Sequence, residues 1–400
     1  MTMMHLLPAP CVPLLRRRVV LRSAVWALSA SLLPCFPAST FAQDAPPLTI
    51  NEECMAAAYA PDGRIAYAVR RILTTRHLDI ERDDIWMLER DGKRKRIVNG
   101  EKLIQGPRGA GPAPFSYAVQ SLRWAPDGTR LTVEMLTSQM INERGDTQDG
   151  VLTLLLDENG KEIRISGGDS VIPNGTNAAW LSDGATVVYV TEAMKPKLLY
   201  SIHSVRPASG RGGDLFTDRA FAGVAWNAKQ NTAVAIERDR SLTGQPRLVA
   251  LDLLKETTKE LAALDGFVGG LTLSPSGAKV AYFRSADMLE VRDLAAPERV
   301  ARVRVAQGTY HWDPSEQRIL IKRGLERKTG DIAWVALPPL QAPAAQPAGK
   351  ADAAPPPVAE TEPQLILHGL TFRDFDLSPD GRSIAVIQPG KRNLLIYSLK

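Results

Sequence analysis

If this chain does chemistry, the first residues to question are its histidines, the side chains whose unperturbed charge changes near neutral pH. Beyond residue 42 there are four, His77, His203, His311 and His368. They are scattered, and no two have the close spacing that sets metal ligands on one element. A metal site would have to be gathered from several distant segments, and none is expected. His311 is the most suggestive: it stands directly before Trp312 in a recurring strand, and the same position in the next recurrence is Asp376, so the two could meet between adjacent units. A His–Asp pair serves catalysis by activating a nucleophile, but no Gly-x-Ser-x-Gly elbow or other nucleophile is indicated. The pair is therefore expected to be a structural hydrogen bond. No Cys-x-x-Cys-His haem site or phosphate loop occurs, and no cofactor is expected.

Binding chemistry has better candidates. Two stretches between apolar strands are long and charged. Arg70 to Asp84 and Leu136 to Gly150 together carry Arg71, Arg76, His77, Asp79, Glu81, Arg82, Glu143, Arg144 and Asp146. Loops carried on a rigid scaffold are a common place for binding residues, and these nine are the candidates; a merely solvated connection is the alternative for any one of them. The basic run Lys93-Arg-Lys-Arg96 reads as a solvated turn, and nucleic acid is not expected as a partner.

The elements that must position these residues form a repeat, whose clearest unit is Phe375-Asp-Leu-Ser-Pro-Asp-Gly-Arg-Ser-Ile-Ala-Val-Ile387. Pro379 sets φ at the first corner of a turn, Asp380 bonds its own backbone, and Gly381 takes the left-handed position from which the chain reverses. The unit is strand, turn, strand. Seven copies align on that turn, ending at Gly63, Gly128, Gly184, Gln230, Gly277, Glu316 and Gly381, so the fourth and sixth have lost the glycine. A large residue precedes each turn, namely Tyr59, Trp124, Trp180, Trp226, Leu273, Trp312 and Leu377. Three positions earlier the residue is mostly small, as at Ala56, Ser121, Gly223 and Gly270, with Asp374 the exception. Large facing small across adjacent units allows close packing. The strands after the turns, such as Ile65-Ala-Tyr-Ala-Val69, are apolar on both faces and need cover from two sides.

This pattern resembles the WD40-like repeat of the TolB type, found also in the propeller domains of prolyl-oligopeptidase-like proteins. The resemblance covers roughly residues 48–400, and its carriers are the Trp-x-Pro-Asp-Gly turns with the Ile-Ala-Tyr-like strand that follows. It implies an all-β fold, a seven-bladed β-propeller of four-stranded antiparallel blades. The extra α/β domain that precedes the TolB propeller has no room here, and the hydrolase domain of the oligopeptidases does not follow the last copy. The seventh copy supplies only three strands, ending with Asn393–Ser398. Leu48 to Ile50 is expected to pair with Leu394 to Tyr397 and supply the fourth, so that the mature N-terminal strand closes the last blade. The outer strands of the second blade are placed at Val151–Leu156 and Glu162–Ile165. Residues 338–363, with eight prolines and eight alanines, read as a disordered insertion within blade six.

Residues 1–42 have no acidic residue, a basic cluster at Arg16-Arg17-Arg18 with Arg22, and an apolar stretch from Ala24 to Phe36. This reads as a cleaved export signal of the general secretory or the twin-arginine type, placing residues 43–400 in the periplasm or outside the cell. No stable membrane span is expected. Four of the 49 basic residues lie in this leader, leaving 45 against 44 acidic ones, so the basic character of the whole chain belongs largely to it. Of three cysteines only Cys54 lies beyond it, so no internal disulfide forms in the mature chain.

Two function classes follow. One is an exported, non-enzymatic, monomeric binding or scaffold propeller that engages an envelope protein, a peptide or a glycan through its loop face. The other is a propeller enzyme of lyase or lactonase type with its site at the channel mouth. The first is preferred because the channel-side positions are mostly small or apolar.

Overall fold

The computed structural model describes residues 46–399 apart from 75–78, 103–115, 141–145, 193–198, 240–242, 267, 324–328, 343–357, 372–373 and 389–392. The chain divides into two units, 1–42 and 43–400, and every described residue belongs to the second. The leader, Arg76, His77, Glu143 and Arg144 lie outside the described residues.

The turn chemistry acts as the sequence suggests. Gly63 sits at φ +91° and donates its N–H to Ala60 O at 2.9 Å, while Asp62 Oδ1 accepts the N–H of Arg64 at 3.1 Å. Where the glycine is missing, a non-glycine residue takes the left-handed position. It is Glu316 in the sixth copy, at φ +57°, and Asn231, one residue beyond the aligned Gln230, in the fourth, at φ +55°. Asparagine tolerates that region better than most side chains.

Among the described residues the strands form four sheets of four strands, an eight-stranded sheet in which two antiparallel runs of four meet at the single pairing of Tyr200 with Phe221, a five-stranded sheet whose fifth strand, Val358–Ala359, is parallel, and the two-stranded pair Ile72–Thr74 and Asp79–Glu81; the antiparallel runs of four are numbered as sets in chain order. The first set is Cys54–Tyr59, Ile65–Val69, Asp84–Leu88 and Arg94–Val98; the second is Ser116–Trp124, Arg130–Met140, Thr147–Asp157 and Val171–Pro173. The third to sixth sets open with the inner strands Thr176–Trp180, Phe221–Asn227, Gly269–Leu273 and Tyr310–Trp312. The seventh contains Asp374–Leu377, Ser383–Ile387 and Leu394–Ser398, and its fourth strand is Leu48–Ile50, in register Leu48 to Ile396 and Ile50 to Leu394.

Apolar clusters lie between successive sets. Tyr67 and Ile65 pack with Ala385, Ile387 and Leu394, so the seventh set also packs on the first. All five residues of Ile65–Val69 are buried, as a strand covered on both faces requires. The large residues before the turns reach back over the preceding inner strand. Trp124 Nε1 donates to Ala58 O at 3.2 Å, Trp226 Nε1 to Asn177 O at 2.6 Å, and Trp312 Nε1 to Thr272 Oγ1 at 3.0 Å.

Three expectations change. The outer strand of the second set is Val171–Pro173, not Glu162–Ile165. Leu155 spends its N–H on Ser170 O and its carbonyl on Ile163 N, so within 162–165 only Glu162 makes a bridge, to Leu156. The segment 338–363 is ordered at both ends. Gln341 exchanges two backbone hydrogen bonds with Val300, both at 3.0 Å, and Val358–Ala359 pairs in parallel with Arg302 and Val303. Composition argued against self-contained order, but these residues borrow the unpaired outer edge of the fifth set. Finally, the two long charged stretches are not irregular loops. Ile72–Thr74 and Asp79–Glu81 form a hairpin arm, and Arg130–Met140 pairs with Thr147–Asp157 through to Met140 and Thr147 as a second.

Candidate functional site

The inner strands place two groups of side chains. Residues at alternate positions along a strand point the same way, so the residue before the large one and the residue two earlier face the space enclosed by the inner strands. A cavity of about 680 Å³ lies there, lined by inner-strand and turn residues of the first, second, fourth, fifth, sixth and seventh sets. Its charged lining residues are Arg123, Lys229, His311, Asp374 and Asp376, so the channel-side positions are more polar than expected from sequence.

His311 and Asp376 do meet, with Nδ1 to Oδ1 at 3.5 Å. Asp376 is further committed to backbone, since Oδ2 accepts the N–H of Tyr59 at 2.8 Å and Oδ1 that of Leu377 at 2.9 Å. Burial pushes its carboxyl above the ordinary aspartate value, opposed by His311 and by those two N–H groups. His311 Nε2 lies 3.0 Å from Phe375 O, and the two rings pack edge to face at 4.8 Å. A carbonyl only accepts, so Nε2 carries the hydrogen it donates to Phe375 O, while Nδ1 faces the Asp376 carboxylate at ion-pair distance. Arg123 Nη1 reaches Asn177 O and Ala178 O, each at 3.4 Å. Burial lowers the proton affinity of its guanidinium, with Glu134 opposing. Both groups are enclosed by chain yet open to solvent along the channel.

Of the other described histidines, His203 meets Asp214 and Thr191, each at 2.7 Å, and His368 meets Asp331 at 2.8 Å. Among the described residues no three His, Cys, Asp or Glu side chains converge as metal ligands.

The second group lies on the two arms. The turns end the inner strands and the arms follow the second strands, so in antiparallel sets the arms and turns lie on opposite faces. Arg71 Nε pairs with Asp84 at 3.1 Å, Glu81 pairs with Arg70, and Arg70 Nε lies 3.0 Å from the buried Asp83. The Arg82 guanidinium stands 5.1 Å above the Tyr117 ring, and Arg82 and Tyr117 form a parallel bridge. These three candidates stitch the first arm to its own sheet and to the second. Asp79 and Asp146 are exposed, Asp79 opposite Thr74 within the first arm.

Sequence reasoning missed the apolar part of this surface. Ile72, Leu73 and Leu136 are 50%, 39% and 47% exposed. Ile72 and Leu73 are adjacent on one strand and point to opposite sides, so neither side of the first arm is covered. Tyr117, beside Arg82, pairs with Thr137, next to Leu136, which brings the two arms together. Reading both arms as polar loops hid these three residues. Arg123 was missed as well; setting the seven inner strands in register exposes it, since the position before the large residue is Ala58, Arg123, Ala179, Ala225, Thr272, His311 and Asp376.

No family model matches this chain, and no curated protein sequence does. Solved structures do match. A chain of the crystal structure of the Mitotic Checkpoint Complex has a TM-score of 0.52 at 13% identity, covering 94% of this chain and 98% of that one. The Myceliophteria thermophila Cps50 (Swd1) β-propeller domain has a TM-score of 0.50 at 11% identity, covering 89% and 99%. The fold is a β-propeller. Each antiparallel run of four strands has the make-up of a propeller blade, and the cavity lies among the inner strands. Among the described residues no helix is long and apolar enough to cross a membrane.

Proposed function

We propose that this chain is an exported, non-enzymatic binding propeller of the TolB type, seven-bladed and closed by its N-terminal strand, which holds a protein partner on the face bearing the two arms. The observation that carries this reading is the pairing of uncovered aliphatic side chains, Ile72, Leu73 and Leu136, with charged neighbours on two arms fastened to each other. Apolar side chains exposed on both sides of a projecting hairpin are costly in water and favourable once covered. They suit a protein surface better than a glycan or a small molecule. That one chain similar in fold comes from a complex is consistent with a scaffold role. The enzyme reading is not taken up, because in the one His–Asp pair that lines the cavity among the described residues the histidine Nε2 is committed to a backbone carbonyl.

The test is capture from an envelope extract with the protein lacking residues 1–42. Replacing Ile72, Leu73 and Leu136 with serine is expected to abolish capture while the melting temperature stays within about 2 °C. Charge reversal at Arg76 and Arg144 is expected to weaken capture in a salt-dependent way. Capture that survives the serine variant but is lost on neutralising Lys93 to Arg96, on the opposite face, would refute the reading. Export is tested separately, by fractionation of cells making the full chain with and without Arg17 and Arg18.

A further inference from the structure

The seam between the fourth and fifth blades lacks what the other seams contain. Across the inner turn, the residue before the partner of each large residue is equivalent from blade to blade: Arg64, Arg130, Thr186, Thr232, Lys279, Arg318 and Ser383. In the first seam Arg64 stands 5.6 Å from the Trp124 ring, and in the second Arg130 stands 5.2 Å from Trp180. Facing the seventh blade, Arg318 stacks at 4.1 Å on Trp334 of its own blade. Trp226 and Trp312 supply the ring in the third and fifth seams, and Tyr59 bonds Ser383 at 2.9 Å in the seam between last and first.

Between the fourth and fifth blades, threonine stands at the arginine position, as Thr232, and leucine at the tryptophan position, as Leu273. Ala250, opposite Val234, occupies the place that Trp334, opposite Leu320, holds in the sixth blade. Thr232, Leu273 and Ala250 thus leave this seam with neither a ring nor a guanidinium at these three positions, and all three line a cavity of about 490 Å³. Leu273 and Ala250 are only partly buried within this apolar cluster, whereas Trp124, Trp180 and Trp312 are buried in theirs. Asp252 and Lys259 lie at the edge of the space, and hydrogen bonds from the N–H groups of Lys255 and Leu254 hold the Asp252 carboxyl below its ordinary value, against weak burial.

We infer that this seam is a binding site for a small molecule bearing a planar aromatic ring, which takes the place the indole occupies in the neighbouring seams. The size fits, since ligand clefts run from roughly 300 to 1,000 Å³ and are mainly apolar with a few polar groups at the edge. The inference rests on the seam alone and is independent of the arm-face reading.

The probe is 5-fluoroindole, followed by ¹⁹F NMR with the folded protein. Wild type is expected to give saturable broadening that unlabelled indole reverses. Leu273→Trp and Ala250→Trp each supply a ring from the protein, so each is expected to weaken probe binding at least tenfold with an unchanged or raised melting temperature. Two variants are used so that one poorly folded protein does not decide the matter. The inference is overturned if wild type shows no saturable binding up to the solubility of the probe, or if either folded tryptophan variant binds it as wild type does.

Discussion

Tyr59 donates its backbone N–H to Asp376 Oδ2 at 2.8 Å, across 317 positions of sequence. The bond joins the first blade to the seventh on the channel side, and the Tyr59 hydroxyl joins them again at Ser383, 2.9 Å away. Replacing Asp376 with alanine leaves the Tyr59 N–H without its partner and removes the carboxylate beside His311. The expected cost is about 1–3 kcal/mol, measured by reversible denaturation. A variant as stable as wild type would show that solvent in the channel replaces the carboxylate.

The outer contact of the same two blades is the pairing of Leu48–Ile50 with Leu394–Ile396. Ile50 is buried, whereas Leu48 is half exposed. A protein beginning at Glu52 loses this strand and uncovers the edge of Leu394–Ser398, and is expected to be less stable and prone to associate. One beginning at Pro46 is expected to match wild type. Thermal melting and light scattering compare the two, and Ile50→Ser alone is expected to reproduce part of the loss.

Two kinds of carboxyl give opposite pH dependence. Burial raises Asp83 from 3.8 to about 6, only partly offset by Arg70 and the Val119 N–H. The folded state binds this proton more tightly than the unfolded chain, so the stabilisation is complete below 3.8 and disappears as pH rises through about 6. At Asp380 the Ser378 hydroxyl and the Arg382 N–H lower the value, so its contribution is present above 3.8 and is lost as pH falls below that. Linkage ties each slope to the difference in bound protons. The stability of wild type minus that of Asp83→Asn is therefore expected to fall between pH 4 and 7, and the same difference for Asp380→Asn to rise over the acid range. Denaturant titrations across that range check both signs.

The segment after the sixth blade's third strand gives a sharper test than its composition suggested. Gln341 lies opposite Val300 and Val358 opposite Arg302, two residues apart on one strand. A few glycines could therefore span from 342 to 358. Replacing 343–357 with such a linker is expected to leave the melting temperature unchanged, whereas removing all of 338–363 uncovers Val300–Arg304 and is expected to lower it.

What was legible in the sequence follows from where the specifying physics is local. The turns were legible because proline, aspartate and glycine each act within four residues, and the inner and second strands because burial on both faces leaves continuous apolar runs such as Ile384-Ala-Val-Ile387. Outer strands such as Arg211–Leu215 or Val171–Pro173 are short and polar or interrupted by proline; they become strands because an edge lies beside them. The His311–Asp376 pair was visible from register alone. Arg123 and the exposed arm residues were not, since each depends on which side of a strand is left open.

The placement of Leu48–Ile50 beside Leu394–Ile396 also constrains how the molecule is made. Asn51 and Asn393, which bond at 3.1 Å, are 342 positions apart, so an early strand must wait for a late one. Until residues near 398 are free, the first blade lacks the neighbour that covers Tyr67 and Ile65. Such distant pairings fold slowly and leave apolar edges open to association in the meantime. A chain exported unfolded would face that interval outside the cytoplasm; one exported folded would already have passed it.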